Sequence, residues 1–132
     1  MPGFFEDPPS AAVLSEGIDC EPREFVIRQH DQTPPLVLSL TDYTGAPLDL
    51  DGWDDATFTL CTLDPRMVMI ERAVADIDVI DGTLTYVWQA GDTDFVGEYE
   101  AEFDVLDAEG KRRTFPADGH IRVQVLDDLD DA

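Results

Sequence analysis

Lysine is almost missing from this chain. Lys111 is the single one among eight basic residues, which stand against thirty Asp and Glu for a formal net charge of −22. Such a surface repels nucleic acid and anionic membranes, because binding either rests on neutralising phosphates with Lys and Arg. Histidine is scarce too, with only His30 and His120, and no pair sits at helical spacing for metal or acid–base work. Cys20 and Cys61 are too few for a disulfide framework or a zinc site, leaving two free thiols or one bridge that pins the N-terminal segment. There is no stretch of about eighteen apolar residues to span a bilayer, and Met1–Asp7 has neither the basic start nor the apolar run of a signal peptide. Neither a Gly-rich phosphate loop nor a Gly-x-Ser-x-Gly elbow is present, so no catalytic, cofactor-binding or metal-binding residues are expected.

What the chain does have is alternation. In Gly97-Glu98-Tyr99-Glu100-Ala101-Glu102-Phe103-Asp104-Val105, apolar and acidic residues take turns without a slip. Successive strand side chains face opposite sides of a sheet, so one face here is core and the other a row of carboxylates directed at water, salt or a partner. Similar short segments recur at Phe25–Arg28, Leu36–Thr41, Ala56–Leu60, Met67–Ala75, Leu84–Trp88, Arg112–Phe115 and Ile121–Val125, separated by turns such as Asp42-Tyr43-Thr44-Gly45 and Asp81-Gly82. No segment offers three turns of amphipathic helix. This grammar predicts an all-β, antiparallel sandwich of about seven to eight strands in one domain.

Residues 1–22 carry Pro2, Pro8, Pro9 and Pro22 and read as an extended arm, since proline donates nothing to a ladder. Phe4 and Phe5 on that arm either tuck onto the domain's own core or dock on a neighbouring subunit. Residues 23–126 are then the sandwich and 127–132 an acidic tail. The carboxylates are dispersed from Glu6 to Asp131 rather than gathered. That distribution matches a surface adapted to high salt better than a dedicated acidic patch.

If the first and last strands were neighbours, His30 and His120 could approach one another with Asp31 or Asp118 nearby; the plainer account is that each ring caps a strand end. Asp49, Asp51, Asp54 and Asp55 crowd one loop without calcium-loop spacing, and read as a solvated turn. Trp53 and Trp88 could form a sugar-stacking platform, although Trp88 shares the core parity of Leu84 and Tyr86.

Several stretches in order resemble one family. They are Phe25-Val26-Ile27-Arg28-Gln29-His30-Asp31, then Pro34-Pro35-Leu36-Val37-Leu38-Ser39-Leu40-Thr41-Asp42, Gly45-Ala46-Pro47-Leu48-Asp49-Leu50, Gly82-Thr83-Leu84-Thr85-Tyr86-Val87-Trp88 with Gly91-Asp92-Thr93, Gly97–Phe103, and Thr114-Phe115-Pro116-Ala117-Asp118-Gly119. Spanning about residues 24 to 126, they resemble the immunoglobulin-like domain at the N-terminus of tailed-phage baseplate upper proteins, and its free-standing relatives among tailed-virus structural proteins. The resemblance implies an immunoglobulin-like sandwich that is not an enzyme. It also implies a virion location after assembly in the host cytoplasm, and attachment to other virion structural proteins in multiple symmetric copies. Phe4, Phe5 and Trp53 are the expected partner-binding residues. The acidity points to a virus of a halophilic archaeon. The alternative function is a host-surface carbohydrate-binding or adhesin module.

Overall fold

The computed structural model describes residues 18–129 and contains no helix among them. Nine strands follow in order: β1 (Asp19–Glu21), β2 (Glu24–Arg28), β3 (Leu36–Thr41), β4 (Trp53–Thr62), β5 (Val68–Asp78), β6 (Thr83–Tyr86), β7 (Gly97–Asp107), β8 (Arg112–Phe115) and β9 (Ile121–Leu126). Eight of them coincide with the alternating segments. The ninth, β1, falls inside the span expected to be a free arm: Asp19–Glu21 pairs antiparallel with Ser39–Thr41, and only at Pro22, which has no N–H to donate, does the pairing end.

The strands form two layers. One runs β1-β3-β6-β5 and the other β5-β4-β7-β9-β2, with β8 beside the far half of β7. Strand β5 belongs to both. Its residues Val68–Ala75 pair with β4, and Asp76–Asp78 pair with β6. The transfer follows a bulge at which the register slips between Phe58 and Leu60, Arg72 takes φ 48°, and the Arg72 N–H donates to Thr59 Oγ1 at 3.3 Å. Such bulges increase local twist, which is what turns a strand from one layer toward the other.

Aromatic side chains from both layers meet between them. Phe58 of β4 stacks on Tyr86 of β6 at 4.3 Å, Trp88 abuts both edge-on, and Phe25 of β2 stacks on Trp88 at 5.8 Å. Leu36, Leu38 and Leu40 are fully buried, as are Phe103 and Val105. Offset and edge-to-face rings stabilise by about 0.5–1.5 kcal/mol per pair beyond their area.

Two expectations need correction. The sheet is not wholly antiparallel, because β2 pairs with β9 in parallel, Glu24 opposite Arg122 and Arg28 opposite Leu126. The acidic face of β7 is also not uniformly wet. Glu98 is exposed and Glu100 and Glu102 are half-buried, but Asp104 is buried, because β8 lies beside it and Thr114 Oγ1 donates to its carboxylate. Local alternation is blind to a neighbouring strand that covers an outward position.

Candidate functional site

Parallel pairing of β2 with β9 decides the fate of the histidines. His30 follows the end of β2, whereas His120 precedes the start of β9, so the two rings sit at opposite ends of the sandwich. Nδ1 of His30 lies 3.1 Å from Asp94 Oδ1, and Nδ1 of His120 lies 3.5 Å from Glu100 Oε1. Among the described residues no group of three or more His, Cys, Asp and Glu side chains is placed to hold a metal ion. Around the acidic loop, Asp49 accepts the Asp51 N–H at 2.9 Å, the geometry of a turn closed by its own side chain.

Both cysteines are free. Cys20 points inward from β1, and burial pushes its thiol up to about 11; Cys61 is half-buried on the outward parity of β4. Tyr86 is likewise held well above the usual phenol range, first by burial and then by donating to Asp92 Oδ2 at 2.5 Å. Asp118 lies below its ordinary value because Arg23 bonds to it at 2.8 Å. These shifts come from burial, from the Tyr86 hydrogen bond to Asp92 and from the Arg23–Asp118 ion pair.

The proposed contact residues separate in the structure. Phe4 and Phe5 lie outside the described residues. Trp53 opens β4, is half-buried and packs against the core, with its backbone N–H donating to Leu50 O at 3.1 Å. Trp88 is 1% exposed, so no pair of tryptophans forms an open platform. Exposed apolar side chains lie partly on the strands, at Val26, Val37, Met69 and Val74, and otherwise mostly at the two ends. Val87, Phe95 and Val96 belong to the loop between β6 and β7, at the end where Met67 leads into β5, while Tyr43, Val79 and Ile80 occupy turns at the other end. Sequence reasoning passed over these because isolated apolar residues in turns carry no period.

The arrangement is a two-layer scaffold with exposed loop tips and, among the described residues, edges without a pairing partner at β1, β2 and the Val68–Ala75 part of β5. A family model described as the BppU N-terminal domain matches residues 24–124. The chain belongs to this family. The BppU N-terminal domain is the N-terminal domain of phage baseplate upper proteins, so membership ties the chain to the virion and to other virion structural proteins. The match begins at the first residue of β2 and ends within β9, and so takes in the sandwich apart from β1. Among solved structures, the crystal structure of CopC from Methylosinus trichosporium OB3b is similar at 15% identity and a TM-score of 0.46, over 79% of this chain and 84% of that one. A likeness that loose carries no argument here. None of the curated proteins matches the chain.

Proposed function

We propose that this BppU N-terminal domain is a non-enzymatic structural subunit of a tailed virus, attached to other virion proteins through its N-terminal arm and its sandwich edges. The observation that carries the reading is the family match across the sandwich. Open edge strands add to it, since they are templates for pairing with another chain unless they are covered.

The strand order supports an immunoglobulin-like version of the sandwich. Reading β1, β3, β4, β5, β6, β7 and β9 as A to G gives ABED in one layer and CFG in the other, the order of that fold. Tyr99, near the start of β7, donates its hydroxyl to Phe95 O at 2.5 Å. That is the upstream backbone contact by which a tyrosine pins the E–F corner in such domains. The dispersed carboxylates support a virus of a halophilic host, where salt screens their repulsion. Occurrence in multiple symmetric copies, after assembly in the host cytoplasm, follows from the same reading.

The carbohydrate-binding alternative draws less support, because Trp88 is buried and Trp53 packs on the core. The test removes residues 1–17 and leaves β1 intact. The truncated chain is expected to fold, shown by unchanged circular dichroism, and to be missing from purified particles that still contain the full-length form. Equal recovery of both forms in particles would refute attachment through the arm.

A further inference from the structure

On the outward face of the β1-β3-β6-β5 layer two adjacent strands lack charge, whereas in the other layer the uncharged outward positions Thr57, Thr59 and Cys61 of β4 lie beside the carboxylates of β7. The two central strands of the first layer present Val37, Ser39 and Thr41 from β3 and Thr83 and Thr85 from β6, five positions without a charge, and Val87 follows just beyond the end of β6. Register sets them side by side, Val37 opposite Thr85 and Ser39 opposite Thr83. By contrast, the corresponding outward positions of β7 in the other layer are Glu98, Glu100, Glu102 and Asp104. Depletion of charge at the centre of a patch is the compositional mark of an interface core.

Acidic rails flank this uncharged strip on both sides. On one side β1 contributes Asp19 opposite Thr41 and Glu21 opposite Ser39. On the other, β5 contributes Asp78 opposite Thr83 and Asp76 opposite Thr85. Where β5 parts from β6, Val74, which is 83% exposed, and Val87 line a depression of about 360 Å³ together with Thr85 and Tyr86. Every Lys and Arg of the chain lies on the other layer or its turns: Arg23, Arg28, Arg66, Arg72, Lys111, Arg112, Arg113 and Arg122.

We infer that this face, Val37, Ser39, Thr83 and Thr85 between the rails Glu21 and Asp76/Asp78, is the docking surface for a different virion protein that presents an apolar centre rimmed by Lys or Arg. The inference rests on the structural role proposed above and adds a sheet face to the arm and edges named there. Charge complementarity selects the occupant. A second copy laid face to face would set carboxylate rail against carboxylate rail with no basic residue to relieve it. In molar salt the Debye length shrinks to about 3 Å, so the rails act only at contact and set register. Val37, the neighbouring Val74 and Val87 and the threonine methyl groups supply the apolar burial, which salt strengthens.

The experiment places a photo-crosslinking amino acid at Val37 or Thr85, and as controls at Glu98 or Gln124 on the other layer, in full-length chain incorporated into particles. Adducts from Val37 and Thr85 to a different polypeptide, with Lys or Arg close to the attachment point, support the inference. Adducts to a second copy of this chain, or adducts from Glu98 and Gln124 alone, overturn it while leaving the structural role standing. Absence of the chain from particles overturns that role and the surface with it. In parallel, V37D/T85D is expected to lower incorporation at least tenfold, and E98K/Q124K to leave it unchanged. Equal incorporation of the two double variants overturns the inference, and should V37D/T85D fail to fold, the crosslinks decide.

Discussion

Replacing Gly82 with alanine tests the packing that holds β6 beside β3, and with it the uncharged face. Gly82 sits at φ 68°, and its carbonyl accepts the Leu40 N–H at 2.8 Å. A Cβ built there meets Leu40 O and Leu48 N at 3.0 Å and Leu48 O at 3.1 Å, all of them backbone atoms that cannot rotate away. Gly110 is the matched control, with φ 83° and nothing within 4 Å of its Cβ. Alanine in the left-handed region costs about 1–2 kcal/mol, and restriction of the unfolded chain returns about 0.4–1. Gly110→Ala should therefore cost roughly 0.5–1 kcal/mol. At Gly82 the forced shift of two packed backbones adds an overpacking cost of about 1–3 kcal/mol. Urea unfolding followed by the fluorescence of Trp53 and Trp88, with both variants measured beside wild type, reads the difference. In thermal melts the same gap corresponds to several degrees, at about 4 °C per kcal/mol for a domain of this size. A Gly82→Ala variant within about 0.5 kcal/mol of Gly110→Ala would show that the hairpin is not pressed against β3 and Leu48, and the reasoning would fail.

Three further outcomes are expected. Tyr99→Phe removes the donor to Phe95 O and should cost about 1 kcal/mol in urea unfolding, with the native circular dichroism retained; no loss at all would mean that the corner is held by packing alone. A thiol reagent at pH 8 should modify Cys61 quickly and Cys20 only after denaturant is added, because Cys20 is 5% exposed and its thiol is pushed up to about 11. Since that folded value lies above the ordinary 9.0, the contribution of Cys20 to stability is fully present below pH 9 and is lost as pH rises through about 11, which an alkaline unfolding series compared with Cys20→Ala will register. Finally, the melting temperature should rise from dilute buffer to molar potassium chloride as salt screens a net charge of −22, and a flat or falling curve would remove the argument for a halophilic setting.

Strand identity was legible because parity is a local property: a residue two positions from a buried one faces the same side, whatever the rest of the chain does. Hence Tyr99, Ala101, Phe103 and Val105 are all buried, as their spacing requires, and β2 to β9 appear where the alternation lies. Strand β1 escaped notice because three residues are too short to show a period and Pro22 stands at their end. The uncharged strip was hidden for a related reason. Its members are spread over β3 and β6, and nothing in the order of residues says that Val37 will lie beside Thr85.

Pairing partners and their direction are properties of the closed sandwich. Only the assembled layers set β2 parallel to β9, and that choice sends His30 and His120 to opposite ends, where each meets a carboxylate and neither meets the other. Only β8 folding back beside β7 converts Asp104 from an outward acid into a buried one satisfied by Thr114. The side a residue faces follows from backbone geometry within a few ångströms, whereas what waits on that side is set by segments far along the chain, whose approach is decided by how the core as a whole excludes water.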